Sequence, residues 1–372
     1  MKIALVHDGL FCRGGGEKVL LSFLEAFPEA IIYTSMYNPH DTYPELSLAK
    51  IKTSWFNSIA KNERQYKRRF FPLLFFSMRT IDLSDYDLVL MATTHSSKYV
   101  RYSSSAKVFA YTFTPFRLAW SPESYTLFNE SKGILSLALR VIVSILKIID
   151  RHYSSKIPNF IAMTEETKDR IKQAYHPSAP IPVLNPSINV NDYYVSDNIG
   201  DYYLVVSRLE RYKKVDLVIE AFNMLKIPLI IVGSGVEESH LKELASKNIT
   251  FMQGLSNNEL AEIYSCAKGL IFPQHEDYGL TPLESAASGR PVVAYGFGGV
   301  WDTMIPYDGA NDTTCTAVFF EEQTVDSIIY AITKMDKIKF DPGFIRSHAE
   351  KYHKDEFIRR LKRIVLDNEE VY

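Results

Sequence analysis

Residues 272–294 read FPQHEDYGLTPLESAASGRPVVA, and they are the most informative part of the chain. The apolar residues that lead into it, Gly269–Phe272, predict a short buried strand. Thr281 and Pro282 predict the start of a helix, with the threonine hydroxyl at the N-cap and the proline at the first helical position. Gly289 predicts the end of that helix, and the apolar run after it predicts a second strand. A strand, loop, helix and strand in this order are typical of a parallel α/β sheet.

Two carboxylates bracket the loop before the helix. Glu276 and Glu284 are separated by seven residues, so one acid precedes the helix and the other lies in its first turn. Backbone N–H groups at a helix start attract anions, which makes this end of the strand a candidate ligand site. Each acid also has a structural interpretation. Thr281 and Glu284 have the spacing of a capping box, and Glu276 with Asp277 resembles an ordinary solvated loop pair.

Length and composition limit the class of protein. The 372 residues predict two or three domains of about 150 residues each. A net charge of -2 argues against a dedicated nucleic-acid binder, and Cys12, Cys266 and Cys315 form no disulfide or zinc motif. The amino terminus runs directly into an apolar strand, and no apolar run reaches the ~18 residues of a spanning helix. We therefore expect a cytoplasmic protein without a signal peptide or a transmembrane segment.

The first half of the chain begins as a strand, a glycine loop and a helix. Lys2–Val6 predicts the strand, Gly14, Gly15 and Gly16 form the loop, and apolar residues at helical spacing follow from Glu17. Three adjacent glycines let the backbone approach a phosphate or a sugar closely. Their spacing differs from the dinucleotide fingerprint, so we do not expect NAD. A glycine turn without a ligand is the alternative.

Three later segments of the first half need an interpretation. Residues 52–79 contain seven cations, one acid and interleaved aromatic residues, which suits an interfacial segment on an anionic membrane. The alternative is a buried helix with a solvated basic face. Residues 133–149 form a strongly apolar helical pattern, which we interpret as a buried helix, with membrane contact as the alternative. Residues 85–87 resemble an Asp-x-Asp metal-binding pattern but precede a strand, so we interpret them as a strand-entry turn and predict no metal site.

The second half repeats strand and helix patterns after a linker rich in Pro, Asn and Asp. Arg208 and Lys213 lie in a loop after a predicted strand, Tyr202–Val206, and Gly233 opens a small glycine loop after the next strand. Ligands of open α/β sheets bind at these carboxyl ends. A guanidinium and an ammonium together suit a diphosphate, and carboxylates suit hydroxyl groups. This half therefore predicts a site for a nucleotide diphosphate that carries a sugar; a basic surface turn is the alternative.

Together these residues resemble glycosyltransferase family 4, also called group 1. The resemblance rests on residues 207–216, SRLERYKKVD, and on the stretch from Glu276 to Glu284. It is strongest for the bacterial O-antigen and capsule mannosyltransferases. It implies a GT-B architecture, in which two doubly wound Rossmann-like domains face a central cleft. It also implies a nucleotide-sugar donor, retention of the anomeric configuration and no required metal or further cofactor.

The resemblance implies roles for individual residues. Arg208 and Lys213 would hold the donor diphosphate, and both would be catalytic together with Glu276, which would contact the donor sugar. Glu284 would bind the ribose. The other candidate residues around the donor are Gly14, Gly15, Gly16, Gly233, Tyr278, Gly279, Leu280 and Thr281.

One position departs from the family pattern. The branch typically carries His-Thr-Pro-x-Arg after a strand of the first domain, whereas residues 113–117 read FTPFR here. Phe113 cannot donate a hydrogen bond to a sugar hydroxyl or share in proton transfer, although Arg117 is retained. His95, at a neighbouring strand end, is a candidate to take part in its place; a structural histidine is the alternative.

The predicted organisation has four parts. They are an acceptor-binding domain over residues 1–187, a linker over 188–200, a nucleotide-sugar-binding domain over 201–345 and a helical segment over 346–372 that returns to the first domain. We expect retaining transfer of a hexose, mannose from GDP-mannose, to a lipid-linked oligosaccharide in surface polysaccharide synthesis, at the inner face of the plasma membrane. A UDP-sugar is the alternative donor. A sugar-nucleotide epimerase and a binding subunit with weakened catalysis are the alternative functions.

Overall fold

The computed structural model describes residues 1–59, 71–125, 128 and 131–367. The chain forms two compact units, Met1–Asn185 joined by the residues from Phe357 onward, and Pro186–Glu356. We call them unit 1 and unit 2 and describe each by itself. Each is built on a fully parallel sheet with connecting helices, which confirms the predicted fold class of two doubly wound α/β domains.

Unit 1 is organised around strand β1. The strands are β1 (Ile3–His7), β2 (Ile31–Thr34), β3 (Ile51–Thr53), β4 (Asp82–Leu83), β5 (Leu88–Thr93), β6 (Arg101–Tyr102), β7 (Lys107–Thr112) and β8 (Asn159–Ala162). The main sheet has the order β3-β2-β1-β5-β7-β8, and β4 pairs separately with β6. β1 and β5 are apolar and buried because both faces of such a sheet are covered. From β1 the chain first adds β2 and β3 on one side, and it then adds β5, β7 and β8 on the other side. The strand order reverses at this point, so the topological switch point lies at the carboxyl ends of β1 and β5.

The helices of unit 1 cover this sheet. They are α1 (Gly15–Ala26), α2 (Phe71–Arg79), α3 (Arg117–Trp120), α4 (Gly133–Ser154) and α5 (Glu165–Tyr175), with 3-10 turns at Pro44–Leu48, Trp55–Ser58, Ser97–Tyr99 and Pro122–Ser124. The carboxyl-terminal residues complete the core. Phe357 stacks on Phe23 of α1 with ring centres 6.2 Å apart, and Arg360 Nη2 donates a hydrogen bond of 3.0 Å to the Val183 carbonyl.

Unit 2 repeats the strand order of unit 1. Its strands are β9 (Tyr203–Val206), β10 (Leu229–Val232), β11 (Ile249–Met252), β12 (Leu270–Phe272), β13 (Val292–Tyr295) and β14 (Ala317–Phe320), in the order β11-β10-β9-β12-β13-β14. The switch point of unit 2 therefore lies at the carboxyl ends of β9 and β12. The strand predicted at Gly269–Phe272 is β12, and the strand predicted after Gly289 is β13.

The helices of unit 2 alternate with these strands. They are α6 (Val215–Leu225), α7 (Glu238–Leu244), α8 (Asn257–Cys266), α9 (Leu280–Ala287), α10 (Val300–Thr303), α11 (Val325–Met335) and α12 (Pro342–Glu350), with 3-10 turns at Val190–Asp192 and Arg211–Lys213. Helix α13 (Lys354–Lys362) begins in unit 2 and continues into unit 1, where a π-helical turn at Arg363–Asp367 follows it. Residues 188–200, predicted as a linker, pack on unit 2. Arg346 Nη1 donates a hydrogen bond of 2.9 Å to the Tyr193 carbonyl, and Arg290 Nη2 donates to the Ser196 carbonyl.

Helix α4 is far more exposed than its sequence suggests. Val143 and Asp150 are buried, but most of the aliphatic side chains from Ile134 to Ile149 are exposed. The prediction of a buried helix over residues 133–149 is therefore wrong. Only one narrow face of the helix packs on unit 1, and the apolar side chains outnumber the positions on that face.

The structure describes only part of the predicted interfacial segment, residues 52–79. Residues 60–70 lie outside the described residues. Of the aromatic residues on either side, Trp55 and Phe76 are exposed, whereas Phe56 is buried in a cluster with Met36 and Leu74. Within the described part of the chain, no helix combines the length and apolar character needed to cross a bilayer.

Candidate functional site

The switch point of unit 2 carries two of the predicted donor loops. One loop follows β9 and contains Arg208 and Lys213; the other follows β12 and contains Glu276. β9 and β12 are paired neighbours, so their carboxyl ends open at the same edge of the sheet. Loops that leave such neighbours toward opposite sides of a sheet leave a crevice for a ligand.

Lys213 and Glu276 form an ion pair that joins these loops. Lys213 ends the 3-10 turn Arg211–Lys213 and is only 7% exposed. Lys214, at φ 55, then turns the chain into helix α6. A lysine that is nearly removed from water requires a carboxylate partner, because a buried charge without one costs about 3–5 kcal/mol. The pair therefore fixes both loops and holds a cation at the strand ends.

Arg208 is the more accessible cation of the same loop. It is exposed, and its Nη2 donates a hydrogen bond of 2.9 Å to Tyr212 Oη. Lys213 Nζ lies 5.0 Å from the centre of the same tyrosine ring. Tyr212 thus lies between the two cations. The exposed planar guanidinium suits a phosphate ligand, with the ammonium as a second positive charge in the same loop.

The glycine loop after β10 supports the arginine loop by close backbone packing. A Cβ at Gly233, which has φ 147, would lie 1.9 Å from the Ser207 carbonyl oxygen. A Cβ at Gly235 would lie 2.2 Å from the Leu209 carbonyl oxygen. The Leu209 N–H also donates a hydrogen bond of 2.9 Å to the Ser234 carbonyl. The candidate Gly233 therefore positions the loop that carries Arg208.

A second glycine pair, which the sequence analysis missed, supports the loop of Glu276. A Cβ at Gly298, which has φ 80, would lie 2.2 Å from the Glu276 carbonyl oxygen, and one at Gly299 would lie 2.5 Å from the Asp277 carbonyl oxygen. The Gly299 N–H donates a hydrogen bond of 2.9 Å to the Glu276 carbonyl. The available signal was the run Gly296–Gly299 directly after β13, which repeats the pattern of glycines after a strand.

Helix α9 begins earlier than predicted. Gly279 is its N-cap, no side chain caps it, and Leu280 is its first residue. Thr281 and Pro282 are therefore the second and third helical residues, and the prediction of Thr281 as N-cap is wrong. The first N–H groups of a helix have no intrahelical acceptor, so a proline fits the third position without losing a hydrogen bond. The candidates Gly279, Leu280 and Thr281 together form the helix start.

Glu284 lies in the second turn of α9 and is fixed by tyrosines. Its Oε2 accepts a hydrogen bond of 2.9 Å from Tyr264 Oη. Burial and the negative charge of Glu284 raise the pKa values of Tyr264 and Tyr193 well above the usual range. Both phenols therefore stay protonated beside the carboxylate. The capping-box interpretation is wrong, because Thr281 is inside the helix and caps nothing.

Tyr278 anchors the loop that follows β12. It is buried, and its Oη donates a hydrogen bond of 2.7 Å to the Pro186 carbonyl. The hydroxyl therefore satisfies a backbone acceptor of unit 2. Tyr278 positions the neighbouring residues Asp277 and Gly279.

In unit 1, the predicted glycine loop opens helix α1. Gly14 is the N-cap and the helix begins at Gly15, two residues before the predicted start. The Glu17 carboxylate turns back over this end, since a Cβ at Gly14 would lie 2.7 Å from Glu17 Oε2. Cys12 Sγ donates a hydrogen bond of 3.1 Å to Glu17 Oε1. A side-chain anion thus lies next to Gly14, where a phosphate was expected.

The sequence analysis missed Asp8, the first residue after β1. Its two carboxylate oxygens accept backbone N–H bonds of 2.7–3.1 Å from four consecutive residues, Thr94, His95, Ser96 and Ser97. Burial alone would raise the pKa of Asp8, but the charges of His95 and His7 and the backbone donors outweigh it and hold the pKa well below the usual range. Asp8 therefore ties the end of β1 to the loop after β5.

Two histidines lie near the position that departs from the family pattern. A Cβ at Gly16 would lie 3.4 Å from His7 Nε2 and 3.5 Å from the Phe113 ring, so these three residues adjoin. His95 Nδ1 lies 3.6 Å from Asp8 Oδ1, and its ring meets Phe116 edge to face. The imidazole that lies beside Phe113 is thus His7, which the sequence analysis did not consider. Arg117 is exposed at the start of α3.

The second half of the chain matches a known family model. Residues 196–369 match the model described as glycosyl transferases group 1. O-antigen chain mannosyltransferase C from Escherichia coli is 27% identical over 106 residues, which cover 26% of this chain and 29% of that protein. Alpha-1,3/1,6-mannosyltransferase ALG2 from Candida glabrata is 21% identical over 406 residues, which cover 91% of this chain and 85% of that protein. The chain thus spans less than a third of the first relative and most of the second.

A solved structure shares the fold over the whole chain. The Anabaena protein HepE in complex with UDP superposes with a TM-score of 0.68 at 14% identity, over 99% of this chain and 100% of that chain. At so low an identity, the similarity establishes the fold and leaves function to be argued from the site. The chain has the GT-B fold of glycosyltransferases, and residues 196–369, which carry Arg208, Lys213 and Glu276, match the group 1 glycosyl transferases.

Proposed function

We propose that this protein is a retaining, metal-independent glycosyltransferase that moves a hexose from a nucleotide diphosphate sugar to a lipid-linked oligosaccharide. The observation that carries the proposal is the ion pair of Lys213 with Glu276 at the switch point of unit 2. A buried cation with a carboxylate, next to an exposed guanidinium, suits a ligand that presents both a diphosphate and sugar hydroxyls. The match of residues 196–369 to the group 1 family supports the same reaction class.

In the proposed donor complex, Arg208 and Lys213 bind the diphosphate. Glu276 accepts hydrogen bonds from hydroxyls of the donor sugar, and Glu284 accepts them from the ribose. The two phenols beside Glu284 are protonated and hold its carboxylate in place. The N–H groups at the start of α9 add a positive dipole end for the phosphates.

The proposed reaction breaks one bond and forms one. The bond between sugar C1 and the diphosphate oxygen breaks, and the acceptor hydroxyl oxygen bonds to C1 on the same face. The hydroxyl proton passes to an oxygen of the departing diphosphate. Negative charge grows on that diphosphate as the bond breaks, and Arg208 and Lys213 stabilise it, which is why we propose no metal requirement.

We further propose mannose as the sugar and GDP-mannose as the donor. The support is the naming of the E. coli and Candida relatives as mannosyltransferases. A UDP-sugar is the second candidate, and the UDP complex of HepE supports it. The E. coli relative, named for the O-antigen chain, supports a surface polysaccharide as the product. A lipid-linked acceptor places the protein at the inner face of the plasma membrane, with residues 52–79 as one basic and aromatic contact.

A thermal-shift screen with GDP, UDP and ADP, and with their sugar conjugates, tests the donor site. A ligand that binds only the folded state raises the melting temperature, by an amount equivalent to about 2.7 kcal/mol at a hundred times its dissociation constant. We expect a selective shift with GDP and GDP-mannose that is lost in Lys213→Ala. A selective shift with UDP would replace mannose with a UDP-linked sugar, and no shift with any nucleotide would overturn the proposal.

A further inference from the structure

The exposed face of helix α4 is not used by the donor site. Its aliphatic side chains recur every three or four residues and therefore form one continuous stripe along the helix. The stripe consists of Ile134, Leu137, Val141, Ile145 and Ile148, which are 50% to 89% exposed. Isolated apolar side chains are common on protein surfaces, but a continuous stripe of this length marks an interaction surface.

A row of cations borders this aliphatic stripe. Arg140, Lys147 and Arg151 follow one another at spacings of seven and four residues, which places them along one edge of the stripe at 3.6 residues per turn. Lys147 Nζ and the Arg151 guanidinium lie 5.4 Å and 5.0 Å from the ring centre of Trp120. Packing against Trp120 therefore holds two of the three cations at this edge.

No exposed acid offsets these cations within the helix. The only acid from residue 131 to residue 154 is Asp150, which is fully buried. Its Oδ1 lies 2.6 Å from Lys98 Nζ, and its Oδ2 accepts hydrogen bonds of 2.7 Å from Tyr175 Oη and 2.8 Å from Trp120 Nε1. The Asp150 carboxylate is therefore buried and does not contribute negative charge to the surface of α4, and its contacts anchor the carboxyl end of the helix. The outward face of the helix is therefore apolar with a positive edge.

We propose that the outward face of α4 docks on an anionic lipid bilayer. The aliphatic stripe enters the acyl region and the cations meet the head groups, as in an interfacial helix whose remaining side packs on protein instead of facing water. A second copy of this chain suits the stripe less well, because an antiparallel isologous contact would bring the two positive edges together. The inference deepens the proposed function, since it rests on the proposed lipid-linked acceptor, and it adds α4 as a membrane contact besides residues 52–79.

Vesicle flotation of the full chain tests the proposal. We expect flotation with vesicles of phosphatidylcholine mixed with phosphatidylglycerol, and much less with phosphatidylcholine alone. The double variant Ile134→Gln, Leu137→Gln should bind the mixed vesicles at least about tenfold more weakly, because two apolar side chains no longer leave water. Glutamine keeps a high helix propensity, so the fold should be unchanged by circular dichroism. Met224→Gln is the matched control, since Met224 is 64% exposed on α6 and should contribute nothing.

The charged edge has its own test. Arg140→Glu should weaken binding to the mixed vesicles severalfold and leave the weak binding to phosphatidylcholine alone unchanged, because only the former depends on charge. Added salt should weaken wild-type binding in the same direction. Equal binding by wild type and the double variant would overturn the proposal. So would a wild-type dimer, seen by sedimentation, that the double variant cannot form while its vesicle binding is normal.

A labelling experiment keeps the test independent of the double variant. An environment-sensitive fluorophore on Leu137→Cys should shift to the blue with mixed vesicles, and the same label on Met224→Cys should not; Cys12 and Cys266 contribute equally to both proteins. An absent shift at residue 137 while the wild type floats would overturn docking through α4. None of these readouts uses turnover. Normal flotation without any nucleotide-induced thermal shift would therefore overturn the donor site alone.

Discussion

The two switch points of this molecule have the same topology and use their charged residues differently. In unit 1, Asp8 follows the central strand, and its carboxylate accepts hydrogen bonds from backbone N–H groups of the neighbouring loop. In unit 2, the loop after the central strand supplies Lys213, whose charge meets the Glu276 side chain across the crevice. A carboxylate saturated by backbone donors fixes a scaffold. A pair of side chains can exchange partners when a charged ligand arrives.

The difference shows that position in a fold does not assign a role to a charged residue. Four backbone donors hold Asp8, so its bonds last as long as unit 1 stays folded. Lys213 and Glu276 are held by one another and by glycine loops that leave their side chains at the strand ends. We infer that unit 2 carries the donor chemistry and that the corresponding site of unit 1 is mainly structural.

The largest expected effect comes from removing the side-chain pair. Lys213→Ala and Glu276→Ala should each lower sugar transfer by about 10²–10³-fold, because the leaving diphosphate loses a cation or the sugar loses its carboxylate. Initial rates with saturating donor measure this. Arg211→Ala changes an exposed cation of the same turn and should keep most activity. Unchanged turnover in both pair variants would remove unit 2 from the chemistry.

Asp8→Asn tests the other side of the comparison. One carboxylate oxygen becomes an NH₂ group that faces backbone N–H donors, so we expect unit 1 to lose about 3 kcal/mol of unfolding free energy. Urea denaturation followed by circular dichroism measures the loss. Asp85→Asn removes an exposed charge from the same unit and should change stability little. If Asp8→Asn keeps its stability but loses transfer, Asp8 is functional and the contrast between the units fails.

The variant Gly298→Ala tests whether close packing at Gly298 positions the loop of Glu276. A side chain at φ 80 costs about 1–2 kcal/mol by itself, and its Cβ would collide with the Glu276 carbonyl. We expect a lower melting temperature and a severalfold drop in transfer. Gly254→Ala is the matched control, because Gly254 has a similar φ of 70 but none of the described residues lies within 4 Å of its Cβ. Equal behaviour of the two variants would contradict the positioning role of Gly298.

The smallest effect is a pH dependence that belongs to unit 1. The pKa of Asp8 is depressed in the folded state, so its stabilisation is fully present above the unfolded pKa of about 3.9 and is lost as the pH falls toward the folded pKa. The difference in unfolding free energy between wild type and Asp8→Asn should therefore shrink as the pH falls below about 5. Urea titrations at several pH values follow it. A gap that widens on acidification would refute the depressed pKa.

Sequence patterns predicted the strands and the charged loops that follow them, but not the features that depend on packing. Arg208, Lys213 and Glu276 were predicted as site residues because they follow apolar strands, and the structure brings Lys213 and Glu276 together. The role of Asp8 was not predicted, because its hydrogen-bond partners are backbone groups of a loop about ninety residues away. No residue pattern reveals such partners. Gly298 was not predicted for a related reason. The need for glycine there depends on the Glu276 carbonyl, which approaches it from another loop.

The amino-acid sequence was sufficient to predict the alternation of strands and helices, and hence two parallel sheets with charged residues at their carboxyl ends. Periodicity and turn residues are local properties, so they can be read along the chain. Tertiary packing sets which charged groups have their hydrogen bonds filled, where helix α9 begins and that most aliphatic side chains of α4 stay exposed. Burial and hydrogen-bond partners are set by distant segments of the chain. The stretch 272–294 thus predicted a site, and only the neighbouring loops brought Lys213 to Glu276.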